Sequence, residues 1–188
     1  MDSETTLAKN KRIFLALWPD ENTRQQLVEA QKKIKSDPKL RAAMQSARLV
    51  QPDNLHMTLH FIGSVPEEVV QSLQTCLDAV HSQSFSLSVK TAGCFPKPRV
   101  FWLGLKSIPP ELNELEQIAA SCVEQCVEGY RRIPYRPHIS LFRKVKILQD
   151  LADVTEIRWQ VDSFALVESK TYAEGVQYHV LRKWSLTE

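Results

Sequence analysis

The stretch HMTLHF, residues 56 to 61, sets a histidine and a threonine two positions apart in an apolar run, and HISLFR, residues 138 to 143, repeats the pattern with serine for threonine. Side chains along a strand alternate between its two faces. Met57, Leu59 and Phe61 are therefore expected on one face, with His56, Thr58 and His60 on the other. In the second copy Ile139 and Leu141 turn to the core, and His138 and Ser140 share the opposite face. Pro137 suits the first position of such a strand. A single histidine beside a strand hydroxyl is most often structural. Two copies in corresponding places of a repeat point to a pair that works together.

The surrounding chain supports that repeat. RIFLALWP (12 to 19) alternates like a strand, ends at a proline and is followed by DENTRQQLVEAQKKI with helical spacing. RVFWLGLKSIPP (99 to 110) and ELNELEQIAASCVEQCV read the same way, so Phe14 leads to His56 as Phe101 leads to His138. After His56 come a helix, PEEVVQSLQTCLDAV, and a strand, FSLSVKTAG; after His138 come a weaker helical stretch near 146 to 153 and the strand IRWQVDSFALVES. VQYHVLRKWSL closes the chain as a last strand. The connection from 36 to 55 is long for a compact domain and reads as partly helical or mobile. Two strand–helix–strand units predict an α+β fold of two lobes related by an approximate two-fold axis, each lending one histidine strand to a shared cleft.

Two facing imidazoles can act as general base and general acid, because an unperturbed pKa near ~6.5 lets one be neutral while the other is protonated. The hydroxyls of Thr58 and Ser140 can donate to nonbridging phosphate oxygens, where charge develops in the transition state. Arg143 adds an ionic contact from the end of its strand. Phosphoryl transfer on a strained cyclic phosphate fits a site of acid, base and hydroxyls. The run YRRIPYRPHISLFRKVK (130 to 146) carries six basic residues and no acidic one, which concentrates positive charge around the second motif. The net charge of +2 is too small for gripping long nucleic acid through counterion release.

The 188 residues suffice for one substantial core; we expect a mobile tail over 1–10 and a single bilobal domain over 11–188. With 43% hydrophobic residues, no apolar run near the ~20 that a membrane span needs, and no apolar leader segment, the expectation is a cytoplasmic monomer. Cys76, Cys94, Cys122 and Cys126 form no C-x-x-C pair and are expected as reduced thiols, Cys122 and Cys126 being neighbours on one helix face. The sequence contains no G-x-G-x-x-G, P-loop or H-E-x-x-H motif, so neither a cofactor nor a metal is expected.

The paired H-x-[ST]-x motifs resemble the 2H phosphoesterase superfamily, and NLHMTLHFIG, RVFWLGL, RPHISLFR and KWSL are similar to its bacterial RNA 2′,3′-cyclic phosphodiesterase branch, once described as 2′-5′ RNA ligases. The resemblance covers nearly the whole chain after the first ten residues. It implies metal-independent opening of a 2′,3′-cyclic phosphate at an RNA 3′ end to a 2′-phosphate, and in some members the reverse joining of tRNA halves through a 2′-5′ linkage. It makes His56 the proton donor to O3′ and His138 the proton acceptor from water, with Thr58, Ser140 and Arg143 holding the phosphate. Ser140 stands where threonine is common and keeps the donor. His60 departs from the usual apolar or variable residue and is a candidate for the cleft. Phe14, Trp102, Tyr135 and Tyr178 are candidates for stacking on a base. His81 and His179 read as structural or surface residues. Other readings are the same fold acting on 2′-5′ oligoadenylates or cyclic ADP-ribose phosphates, and a non-catalytic RNA-binding module.

Overall fold

The computed structural model describes residues 10–146 and 154–187. The expected tail, apart from Asn10, and the helical stretch expected at 146–153, apart from Lys146, lie outside the described residues. No helix of the described residues is long and apolar enough to cross a membrane.

Strand β1 (Lys11–Leu17) runs into helix α1 (Glu21–Ser36) through Asp20, whose carboxylate accepts the Thr23 amide at 2.7 Å and the Thr23 hydroxyl at 3.0 Å. Such an N-cap stabilises a helix by about 1 kcal/mol. The long connection folds into a turn of 3₁₀ helix at Pro38–Leu40, a short helix α2 (Arg41–Met44) and a two-residue strand β2 (Arg48–Leu49). Strand β3 (Met57–Val65) carries the first motif and leads into helix α3 (Glu67–Leu77). Strands β4 (Phe85–Phe95) and β5 (Val100–Leu105) precede helix α4 (Pro110–Cys126). Proline at its first turn costs α4 no hydrogen bond, and Leu112, Leu115, Ala119, Cys122 and Val123 form its buried stripe at helical spacing. Strand β6 (His138–Arg143) carries the second motif and is followed by β7 (Ile157–Val161), β8 (Ser163–Tyr172) and β9 (Gly175–Ser185).

The strands form one antiparallel sheet ordered β7-β4-β5-β6-β3-β1-β8-β9, with β2 beside β6. Around the β3–β6 seam the order is symmetric: β1, β8 and β9 extend one half as β5, β4 and β7 extend the other. The chain exchanges strands between the halves. β4, which follows the first motif, pairs with β5 of the second half, and β8 returns to pair with β1. The segment read as one strand, IRWQVDSFALVES, is two: it breaks at Asp162, and its parts serve opposite halves. The two-lobed α+β arrangement stands, but the lobes are not the two consecutive sequence units.

A continuous apolar core fills the side of the sheet that carries the helices, including Leu27 of α1, Leu73 of α3 and Leu115 of α4 against Leu15, Met57, Leu103 and Ile139 of the strands. The other face carries a small second cluster, Phe14, Ala16, Ala165 and Val167, with Trp18 and Tyr178 at its margin. Helices α3 and α4 are joined by a disulfide between Cys76 and Cys122, with Cα atoms 5.7 Å apart. This corrects the expectation of four reduced thiols. Cys76 and Cys122 are 46 residues apart and meet only because their helices pack together.

Candidate active site

Each motif strand departs from simple alternation at the same place. Across β1 and β3, Ala16 stands opposite Thr58 and Leu15 opposite His60, so Leu59 is an extra residue. Across β5 and β6, Trp102 stands opposite Ser140 and Phe101 opposite Phe142, so Leu141 is extra. A bulge directly after each hydroxyl shifts the parity of the residues that follow it, in β3 as far as a second extra residue at Ile62. Phe142 is thereby buried, and Arg143 comes out exposed on the cleft face. In the other half Phe61, expected in the core, is half exposed in the cleft with the Arg12 guanidinium 4.9 Å from its ring centre. The backbone carbonyl of Leu141 is not orphaned by its bulge: it accepts from the Val50 amide at 2.9 Å and from the buried Gln31 side chain at 3.0 Å.

The same parity shift removes His60 from the cleft. It is buried against α4, where Nε2–H donates to the Glu116 carbonyl at 2.9 Å and Nδ1 accepts from the Tyr130 hydroxyl at 3.0 Å. The expectation that His60 shares the face of His56 and Thr58 is corrected on this ground.

The two motif histidines are held alike. His56 Nδ1–H donates to the Asn54 carbonyl at 2.7 Å, and His138 Nδ1–H donates to the Arg136 carbonyl at 2.6 Å. A carbonyl can only accept, so both rings are fixed as Nδ1–H tautomers and the lone pair of each lies on Nε2. His60 carries the opposite tautomer. His56 Nε2 lies 3.1 Å from the Thr58 hydroxyl. Trp18 stacks on the His56 ring at 5.5 Å and 10°, while Phe14 at 5.0 Å and Tyr178 at 5.1 Å complete an aromatic box. The His138 ring meets Phe95 edge-on at 5.0 Å and Trp102 at 6.3 Å. Both rings, with Thr58, Ser140, Arg143 and Arg12, line a single cleft of about 380 Å³.

A family model described as LigT like Phosphoesterase matches residues 17–102. The RNA 2′,3′-cyclic phosphodiesterase of Archaeoglobus fulgidus is 30% identical to this chain, covering 86% of it and 88% of the relative. That of Thermus thermophilus is 32% identical over 93% of this chain and 90% of the relative. The chain belongs to the LigT-like phosphoesterase family. Its fold superposes on crystal structures of Escherichia coli LigT, in apo form with a TM-score of 0.84 at 28% identity, and complexed with 3′-AMP with a TM-score of 0.82 at 26% identity. These cover 96% of this chain and 99% and 100% of the LigT chains, respectively.

In this LigT-like phosphoesterase the electrostatics of the free cleft favour neutral imidazoles. Burial in the aromatic box lowers His56 to about 4 against the pull of the Asn54 carbonyl, and the Arg143 and His138 charges lower it further. Although the residue as a whole is only half-buried, the ring itself is enclosed. Burial also lowers His138, opposed by its bond to the Arg136 carbonyl. An anion between the rings would reverse the sign of the local field.

The stacking candidates divide. Phe14 and Tyr178 lie in the cleft against His56; Trp102 and Tyr135 line a neighbouring cavity beside His138. Sequence reasoning missed Trp18, Phe95, Phe61 and Arg12. A signal for Trp18 existed, since Phe14, Ala16 and Trp18 continue one strand face at period two. Phe95 had none, because its strand belongs by sequence to the other motif.

Proposed function

We propose that this protein is a hydrolase that opens RNA 2′,3′-cyclic phosphate ends to 2′-phosphates without needing a metal ion. The phosphate sits between the two imidazoles, with the Thr58 and Ser140 hydroxyls and the Arg143 guanidinium on its nonbridging oxygens. His138 Nε2 takes a proton from water as the water oxygen attacks phosphorus, the P–O3′ bond breaks, and His56 Nε2 gives its proton to O3′. The bound phosphate charge and its contact with His56 offset the burial and the Arg143 field that hold this ring neutral in the free protein, which lets it serve as the acid. The same path with a 5′-hydroxyl in place of water is 2′-5′ ligation, and its reverse, in which O3′ attacks phosphorus and the 5′-oxygen leaves, cleaves a 2′-5′ linkage.

The observation that carries this reading is the matched pair. Two imidazoles in one tautomer, each followed two residues later by a hydroxyl, share a cleft with an arginine on its wall. The family membership and the activity for which the relatives are named agree with it. Incubation with adenosine 2′,3′-cyclic phosphate in excess EDTA, with identification of the product isomer, tests it. The 2′-phosphate is expected, and His56→Ala and His138→Ala each lower kcat by roughly 10²- to 10⁴-fold. A 3′-phosphate product means that the two histidine roles are exchanged; loss of turnover in EDTA restored by one divalent ion removes the metal-free mechanism.

A further inference from the structure

His138 faces two cavities. One is the cleft it shares with His56; the other, of about 370 Å³, is lined by Phe95, Trp102, Ile108, Tyr135 and Arg136. Phe95 and His138 line both, so the second cavity continues from the phosphate site on the His138 side only. Its volume is within the range of about 300 to 1,000 Å³ usual for small-molecule sites.

The cavity has a prepared floor. The Trp102 ring packs over two strand glycines: a Cβ at Gly93 would overlap the ring, and one at Gly104 would meet both the ring and the Thr91 hydroxyl. The absent side chains let the indole rest on backbone, with Phe95 and His138 beside it. Trp102 Nε1 and the Tyr135 hydroxyl are buried and hydrogen-bond to no other described residue, so neither offers a polar edge to a ligand. The cavity therefore presents ring surface, tilted Phe95 lying 5.4 Å from Trp102, with the exposed Arg136 beside it. A flat aromatic base bound by stacking, with little sequence preference, matches this wall.

We propose that this cavity is a second nucleoside subsite, which holds a nucleoside bearing a free 5′-hydroxyl against His138. The assignment rests on the proposed reaction, in which the nucleophile enters on the His138 side, opposite the leaving O3′. The 5′-oxygen attacks phosphorus, its proton passes to His138 Nε2, the P–O3′ bond breaks, and O3′ takes the His56 proton. In the reverse direction O3′ gives its proton to His56 and attacks phosphorus, the P–O5′ bond breaks, and His138 protonates the departing 5′-oxygen. The half-exposed Phe61 ring lies in the cleft and not in this cavity, which leaves the nucleoside of the cyclic phosphate a separate surface.

Thr91 and Ile108 are exposed on the rim, and neither lines the cleft that contains His56. Thr91→Trp and Ile108→Trp fill the cavity from different sides. Each is expected to raise KM for 2′-5′-linked adenylyl adenosine by about 10- to 100-fold, the range set by loss of one stacked base. Hydrolysis of adenosine 2′,3′-cyclic phosphate should stay within about 2-fold of wild type. Equal losses on both substrates, no loss on either, or a wild-type protein that hydrolyses the cyclic phosphate yet releases no adenosine from the dinucleotide would each overturn the subsite. Saturation-transfer NMR with adenosine alone gives a readout free of catalysis: signal from wild type that both variants abolish supports the subsite, and signal that persists in them overturns it. A protein inert towards the cyclic phosphate that still shows the cavity-dependent adenosine signal refutes the proposed reaction and leaves the subsite standing.

Discussion

Met57 stands opposite Ile139 where the two motif strands meet. In an antiparallel pair a local two-fold axis runs through facing residues, so His56 and His138, each one position earlier, lie on opposite sides of that axis at matching removes. Beyond this pair β3 and β6 part company, β3 following β1 through seven register pairs and β6 following β5. The opening between them is the cleft. A symmetric frame thus delivers two imidazoles to one cleft, and asymmetry enters through the residues beyond each bulge: Arg143 in one half, Phe61 in the other.

The first prediction concerns pH and rate. kcat/KM reports the free protein, in which burial and the neighbouring charges hold His56 at about 4 and burial lowers His138. Its profile should be a bell centred on the acid side of neutrality. The profile of kcat reports the complex, where the phosphate charge raises both rings, and should peak at higher pH. Arg143→Met removes one positive charge and should move the His56 titration upwards, read from its ring-proton NMR shifts. An unmoved titration would show that Arg143 does not act on His56.

The second concerns pH and stability. A histidine held below its ordinary value binds fewer protons folded than unfolded between the two, so stability rises with pH across that interval and is lost on acidification. For His56 the window runs from its ordinary value near 6.5 down to about 4, and the lowering of His60 and His138 has the same sign. Thermal melts of wild type and His56→Gln over this window should show a shallower slope in the variant. Parallel slopes would contradict the burial of the His56 ring.

His60 provides the third. Because it bonds Tyr130 and the Glu116 backbone in the core, with its Nε2 also 3.4 Å from the Glu116 carboxylate, His60→Ala should cost about 2 to 3 kcal/mol of stability in urea unfolding. Turnover at a temperature where the variant stays folded should fall by less than about 10-fold, unlike the motif histidines. A loss in kcat as large as that of His56→Ala would return His60 to the reaction.

The fourth tests the bridge between α3 and α4. A cross-link closing 46 residues is worth about 4 kcal/mol through the unfolded state. Cys76→Ser combined with Cys122→Ala should lower the urea midpoint accordingly. Neither cysteine lines the cleft, so kcat at low temperature should be retained. Equal midpoints for the oxidised wild type and the double variant would show that the bridge contributes nothing.

What the sequence determined by itself is local. Alternation of Met57 with Thr58, and of Ile139 with Ser140, needs no partner to be read, because period two is a property of one extended chain. The histidine–hydroxyl spacing, the helices after Pro19 and Pro109, and the basic run beside His138 are set by neighbours in sequence. Only the tertiary structure decided the rest. Leu59 and Leu141 became bulges because β1 and β5 set the count of residues opposite them, and this alone sent His60 to the core and Arg143 to the cleft. The same register aligns Leu17 with Leu103, which places Phe14 in the role of Val100 rather than that of Phe101, one position from the match that the letters suggest. The exchange of β4 and β8 between halves and the meeting of Cys76 with Cys122 are long-range choices of partner. Strand pairing and helix packing are settled by the burial of whole faces against one another, and no short window of sequence contains both faces.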